Sequence, residues 1–161
     1  MVHGPAPMRL CWGCRRPRTP VYASAMPPLP PPDPTAAELR GKVLYIEDAP
    51  MYFELVKALL APHREVEIIH ASTGHEGVQL VRSEHPDFVL LDMHLPDISG
   101  LEVVRMLSED IANRRLRVTI LSGDTLSIDI VKAMSLGAFS YLIKPVSAQA
   151  LEDSLRRALA R

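Results

Sequence analysis

Five residues between positions 47 and 144 are of the types that handle phosphoryl groups. They are three acids, one serine and one lysine. Glu47 and Asp48 follow one short apolar run, Asp92 and Ser122 follow two later ones, and Lys144 follows the last. A carboxylate can attack phosphorus and form an aspartyl phosphate, provided that the charge on the transferred oxygens is neutralised. Three carboxylates in one place require a cation or a proton, and an oxygen-rich site favours Mg2+. A hydroxyl such as that of Ser122 could donate to a phosphoryl oxygen.

The elements that must position these residues are five short runs rich in β-branched residues, which alternate with helical patterns. The runs are 43–46, 66–69, 88–91, 118–121 and 139–143. Between and after them lie segments with apolar residues at helical spacing, which predict five helices. This alternation predicts a parallel sheet that is covered by helices on both faces.

The order of the strands follows from their apolar content. The runs that end at Ile46 and Leu91 are apolar throughout, as central strands are, whereas Glu67 interrupts the second run and makes it an edge candidate. An edge second strand fits the order 2-1-3-4-5, in which ligands bind beyond the carboxyl ends of the first and third strands. We therefore predict an α/β fold with a doubly wound five-stranded parallel sheet, flavodoxin-like (βα)5, and all three acidic residues in that crevice.

Residues 1–40 differ in composition from the remainder. Ten of the 15 prolines fall there, and the stretch has neither helical nor strand periodicity. We expect a disordered, proline-rich leader at 1–40, more typical of a flexible tether than of a ligand for a proline-binding module, and one domain at 41–161. Translation from Met26 or nearby is an alternative that N-terminal sequencing would settle.

The two cysteines lie close together in this leader. Cys11 and Cys14 have the C-x-x-C spacing, and His3 could add a third ligand, but structural zinc generally needs four. A chance pair in a linker is the favoured interpretation.

The charge and hydropathy of the chain limit its partners. The net charge of -1, from 18 basic and 19 acidic residues, gives no broad basic field for nucleic acid or an anionic membrane. No run approaches the roughly 18 apolar residues of a transmembrane helix, and the first 30 residues lack a signal core. We expect a cytoplasmic protein with no direct nucleic-acid or membrane partner.

The residues around the acidic cluster resemble the response-regulator receiver domains of two-component systems, of the chemotaxis type. The resemblance covers about residues 41–161, and its motifs are Ile46-Glu47-Asp48, residues 90–96, Gly100, Leu121-Ser122-Gly123 and Lys144-Pro145. The intervals from Asp48 through Asp92 and Ser122 to Lys144 are 44, 30 and 22 residues, which match the family pattern.

The resemblance implies a metal site and a phosphoacceptor. Asp92 would be phosphorylated, and Asp48 and Asp92 would ligate Mg2+ directly. Glu47 would act through a metal-bound water, and the backbone carbonyl of His94 would be a further ligand. The first acid is Glu where the family often has Asp, which we expect to shift the water-mediated geometry without abolishing binding.

The resemblance also implies a switch. Lys144 would contact the phosphoryl group, and the Lys144-Pro145 peptide would be cis. Tyr141 stands where the family has an aromatic that turns inward when the hydroxyl of Ser122 moves to the phosphate, although a packed core aromatic is the alternative. Asp124, like His94, occupies a position expected to influence the lifetime of the phosphoryl bond, which the sequence leaves open.

We expect a phosphorylation-controlled interaction module and no enzyme beyond slow self-dephosphorylation. Only one helix-length segment follows Ile143, so we expect no output domain and signalling through contact with another protein. The resemblance implies a sensor histidine kinase or phosphotransfer protein as the donor. It implies a downstream protein target at the fourth helix, around Thr125–Leu136, the fifth strand and the fifth helix. The sequence does not identify the kinase or the target, and it leaves open whether phosphorylation produces a homodimer.

Two other functions compete with this one. A Mg2+-dependent phosphatase of the haloacid-dehalogenase type also combines an aspartate nucleophile with a lysine and a hydroxyl, but that family needs a second aspartate where this chain has His94. Its nucleophile also follows the first strand, whereas Asp92 follows the third. The second rival is a receiver-like scaffold that takes no phosphate, which the presence of every required group disfavours.

Overall fold

The structure is a computed structural model that describes residues 38–114, 116–123, 125 and 127–159. Residues 1–37 of the predicted leader, which include its cysteine pair, and Asp124 lie outside these residues. The folded domain includes residues before the predicted boundary at residue 41, because Leu39 packs into the core with 4% of its surface exposed and β1 starts at Arg40.

Five strands and six helices alternate along the described residues. The strands are β1 (Arg40–Ile46), β2 (Glu65–Ala71), β3 (Phe88–Asp92), β4 (Arg117–Ser122) and β5 (Ser140–Ile143). The helices are α1 (Pro50–Leu60), α2 (Gly74–Glu84), α3 (Gly100–Met106), α4 (Ser108–Arg114), α5 (Ile128–Ser135) and α6 (Ala148–Leu159). The five predicted strands are confirmed. None of the helices in the described part of the chain has the length and apolar content that a bilayer span requires.

The strands form one parallel sheet in the order β2-β1-β3-β4-β5, so the predicted flavodoxin-like arrangement with β2 at an edge is confirmed. The register determines which strand ends meet. Ile46, the last residue of β1, is paired with Leu91 of β3. Glu47 and Asp92 therefore follow at the same level of the sheet, on either side of the point where the winding direction reverses.

One predicted helix is two segments in the structure. The five helices predicted from the sequence include only one between β3 and β4. The structure has two there, α3 and α4, which are separated by Leu107 alone. The backbone of Leu107 has φ of -93° and ψ of 3°, away from ideal helical geometry, and its side chain is fully buried. Its amide still bonds to the carbonyl of Val103 at 3.0 Å, so the two segments together fill the place of the predicted helix.

The core lies on both faces of the sheet, as predicted. Successive residues of β1 point to opposite faces, so Leu44 and Ile46 pack against α2 and α3, whereas Val43 and Tyr45 pack against α1 and α6. Every residue of β3 is buried. Burial of these apolar side chains, at about 25 cal/mol per Å2 of apolar surface, holds the strand ends at fixed positions.

Asp97 joins the loop after β3 to the start of α2. Its carboxylate accepts hydrogen bonds from the backbone amides of Gly74 at 2.8 Å and His75 at 2.9 Å, and the His75 Nδ1 atom lies 2.7 Å away. Burial would raise the pKa of Asp97, but the hydrogen bonds from His75 and Gly74 outweigh it and lower the pKa well below its usual range. The ionised carboxylate thus caps α2 from a loop that follows Asp92.

We expect Asp97→Ala to reduce the free energy of unfolding at pH 7 by about 1 to 2 kcal/mol, the usual cost of losing a helix cap. A carboxylate with a lowered pKa stabilises the fold above its unfolded pKa of about 3.9, so the difference from the wild type should narrow as the pH falls below that value. Urea unfolding at several pH values measures this. Asp153→Ala, at an exposed position of α6, is the control. An equal loss of unfolding free energy in both variants would contradict the capping role.

Candidate functional site

The three acidic residues predicted from the sequence meet at the carboxyl edge of the sheet. One carboxylate oxygen from each of Glu47, Asp48 and Asp92 can be chosen so that all three lie within 4.8 Å of one another. Glu47 and Asp92 are nearly removed from solvent, with 1% and 5% of their surface exposed, whereas Asp48 is exposed. The cluster forms because β1 and β3 end at the same level of the sheet.

Lys144 completes the cluster from the loop after β5. Its Nζ atom lies 2.6 Å from Glu47 Oε2 and 3.2 Å from Asp92 Oδ1. It also lies 4.1 Å from the ring centroid of Tyr52, within the range of a cation–π contact. The backbone amide of Lys144 donates to the carbonyl of Ser122 at 2.8 Å, which ties the lysine loop to the end of β4. The Lys144-Pro145 peptide bond is cis, as predicted.

Burial and neighbouring charges shift the pKa values of Asp92 and Lys144. Burial raises the pKa of Asp92, and the negative charge of Glu47 adds to this, although the ammonium group of Lys144 opposes it. Burial alone would lower the pKa of Lys144, but its hydrogen bond to Glu47 and the charge of Asp92 raise it. Within the described part of the chain, three carboxylates thus face one ammonium group, and a divalent cation fits the remaining negative charge.

Several neighbours that the sequence did not predict hold Glu47. The amide of Ala49 donates to Oε1 at 3.1 Å, and the hydroxyl of buried Tyr45 donates to Oε2 at 3.0 Å. The backbone carbonyl of Glu47 lies 2.7 Å from Nε2 of His70, whose ring stacks on Phe53 with centroids 4.1 Å apart. The spacing of two residues between Tyr45 and Glu47, typical of one face of a strand, is the signal that could have indicated the hydrogen bond from Tyr45.

Ser122 and Tyr141, the predicted switch pair, lie on neighbouring strands. Ser122 ends β4 with 1% of its surface exposed, beside the site. Tyr141 on β5 is 38% exposed, so its ring is not a packed core aromatic. His94 lies in the loop after β3 and is exposed, and its backbone forms a hydrogen bond with Asp92 that only partly offsets the rise in the pKa of that carboxyl caused by burial.

Gly100 keeps the end of β3 in place. Its amide donates to the carbonyl of Met93 at 3.0 Å. A Cβ atom at this position would lie 2.6 Å from the backbone oxygen of Asp92 and 2.7 Å from Cα of Met93, closer than real side chains approach backbone. Only glycine allows the start of α3 to approach the phosphoacceptor candidate so closely.

Comparisons with known proteins agree with this geometry. The sequence model of the family described as the response regulator receiver domain matches residues 43–156. Protein PilH from Pseudomonas aeruginosa is 31% identical over 120 residues, which are 74% of this chain and 98% of PilH. The nitrate/nitrite response regulator protein NarL from Escherichia coli is 34% identical over 119 residues, and the match spans 73% of this chain but only 54% of NarL.

Solved structures show the same similarity. The crystal structure of a response regulator receiver domain protein from Clostridium thermocellum has a TM-score of 0.67 and 33% sequence identity, and it covers 74% of this chain and 94% of its own. The signal receiver domain of a putative LuxO repressor protein from Vibrio parahaemolyticus has a TM-score of 0.65 and 30% identity, with 74% and 93% covered.

We expect Asp92→Asn to unfold at a higher urea concentration than the wild type at pH 7. The raised pKa of Asp92 means that the fold disfavours its ionised form, and an amide removes this cost. An acid with a raised pKa stabilises the fold below its unfolded pKa of about 3.9 and loses that contribution as the pH rises, so the gain from Asn should shrink towards pH 4. Asp97→Asn should instead unfold at a lower urea concentration than the wild type, because the lowered pKa of Asp97 means that the fold favours its ionised form. A lower midpoint for Asp92→Asn at pH 7 would contradict this electrostatic account.

Proposed function

The chain belongs to the response regulator receiver domain family, and on that premise we propose that it receives a phosphoryl group on Asp92 and signals through protein contacts. Receiver domains are signalling modules of two-component systems. The observation that carries the proposal is the position of Asp92, which lies at the end of a buried strand, beside two further carboxylates and within 3.2 Å of Lys144.

The proposed reaction is transfer from a phosphohistidine of a sensor histidine kinase or phosphotransfer protein. One carboxylate oxygen of Asp92 forms a bond to phosphorus, and the phosphorus–nitrogen bond of the donor breaks. The electron pair of that bond remains on the imidazole nitrogen, which takes up a proton. Lys144 is placed to hold the acceptor carboxylate and to offset negative charge on the transferred oxygens.

We propose that Asp48 and Asp92 hold Mg2+, with the backbone carbonyl of His94 as a further ligand and Glu47 close to the ion. Carboxylate and carbonyl oxygens are the ligands that this ion prefers. When bound, Mg2+ would supply charge stabilisation to the phosphoryl oxygens. Asp48 is exposed at the mouth of the cluster, which supports a role in capturing the ion from solvent.

Phosphorylation would change the surface that the protein presents to its partners. The hydroxyl of Ser122 would donate to the phosphoryl group, and Tyr141 would turn inward from its exposed position. Apolar side chains support a docking role for the surface formed by α5, β5 and α6, since Ile128 is 73% and Ile143 is 45% exposed. A downstream protein, or a second phosphorylated copy of this chain, would bind there. We expect this exchange to take place in the cytoplasm, where its kinase partners act.

Incubation with acetyl phosphate and Mg2+ tests the proposal. Intact mass spectrometry should show the addition of one phosphoryl group to the wild type and to the surface control Asp153→Asn, and none to Asp92→Asn, which keeps the shape of the side chain but lacks the nucleophile. Chelation of the metal should strongly reduce the modification.

Two outcomes would contradict the proposal. Equal modification of Asp92→Asn would show that another residue accepts the group. Repeated hydrolysis of a small phosphomonoester, with many turnovers for each molecule of protein, would instead indicate a phosphatase of the haloacid-dehalogenase type.

A further inference from the structure

Tyr45 is a buried phenol that the proposed phosphoryl transfer does not use. It lies in β1 with no exposed surface, and its hydroxyl is 3.0 Å from Glu47 Oε2. Glu47 extends the strand by one residue, because its amide donates to the carbonyl of Ala71 at 2.9 Å. Residues two apart on an extended backbone point to the same face, so the sequence places this hydroxyl directly beneath the carboxylate.

The carboxylate of Glu47 is occupied by donors from the protein itself. Oε1 accepts from the amide of Ala49 at 3.1 Å, and Oε2 accepts from both the Tyr45 hydroxyl and the Lys144 ammonium group. An ionised carboxylate offers about four lone-pair sites, so little acceptor capacity remains for an ion or its water. Asp48 differs, because no hydrogen bond or ion pair reaches its carboxylate from anywhere in the described part of the chain.

We infer that Tyr45 is a positioning residue, whose hydroxyl holds the carboxylate of Glu47 in place and weakens its attraction for a divalent cation. The inference rests on the proposed function, since it concerns the same ion. A hydrogen bond to an ionised oxygen disperses its charge, and it does so more strongly in a buried site than in water. Glu47 thus serves mainly to hold Lys144, and Asp48 and Asp92 provide most of the attraction for the ion.

Tyr45→Phe tests this role because it removes one hydroxyl and keeps the ring that fills the core. Backbone amide shifts of Asp48 and Asp92, followed by NMR during titration with MgCl2, give the dissociation constant without phosphorylation. We expect Mg2+ to bind about three- to tenfold more tightly to this variant, as the typical net contribution of one hydrogen bond predicts. Ser154→Ala is the control, since it removes a buried hydroxyl that lies 3.1 Å from Ser140 Oγ, among residues away from the acidic cluster.

Combining Tyr45→Phe with Glu47→Gln shows whether the effect on Mg2+ affinity depends on the Glu47 carboxylate or on a general loosening of the fold. In Glu47→Gln the anion is gone, so the further change Tyr45→Phe should leave Mg2+ affinity unaltered. Unchanged or weaker binding by Tyr45→Phe alone, with normal binding by the wild type, would overturn the inference and leave the proposed function intact. A gain that persists in the Glu47→Gln background would also overturn it. If the wild type binds no Mg2+, the proposed function fails and this inference fails with it.

Discussion

The constraint on which this structure depends is the imbalance of charge in one small pocket. Three carboxylates approach one another there, two of them almost fully removed from water, and among the residues that the structure describes one ammonium group forms ion pairs with these two. Such a cluster is costly to bury, and the raised pKa of Asp92 is the direct expression of that cost. A bound divalent cation would relieve it. The same imbalance therefore links the stability of the fold to the chemistry of the site.

The fold supports this pocket by fixing strand ends rather than by enclosing a cavity. The register of β1 and β3 sets Glu47 and Asp92 at one level, and the close approach of Gly100 leaves the backbone of Asp92 little room to move. The loop after β3 is tied to α2 through Asp97, and the loop after β5 is tied to β4 through Ser122. The loops after β3 and β5 are thus held by contacts other than those within the acidic cluster, which is how a loop can present a group with a defined geometry.

The strand order and the acidic cluster could be predicted because they follow from short-range patterns. Unbroken apolar runs identify central strands, and parallel strands place their carboxyl ends at one edge, so the position of Asp92 beside Glu47 needs no knowledge of side-chain conformation. The contacts between side chains could not be predicted in the same way. The hydrogen bond from Tyr45 and the cap that Asp97 provides depend on rotamers and on a loop path, and the break at Leu107 depends on how one leucine packs.

The central claim, that these side chains form one divalent-cation site, is tested most directly by crystals of the protein soaked with Mn2+. Anomalous scattering locates this ion without reference to phosphorylation or to any partner. A shared site predicts one strong anomalous peak between the carboxylates of Asp48 and Asp92, with Lys144 still beside Asp92. A peak elsewhere on the surface, with these carboxylates apart from one another, would contradict it.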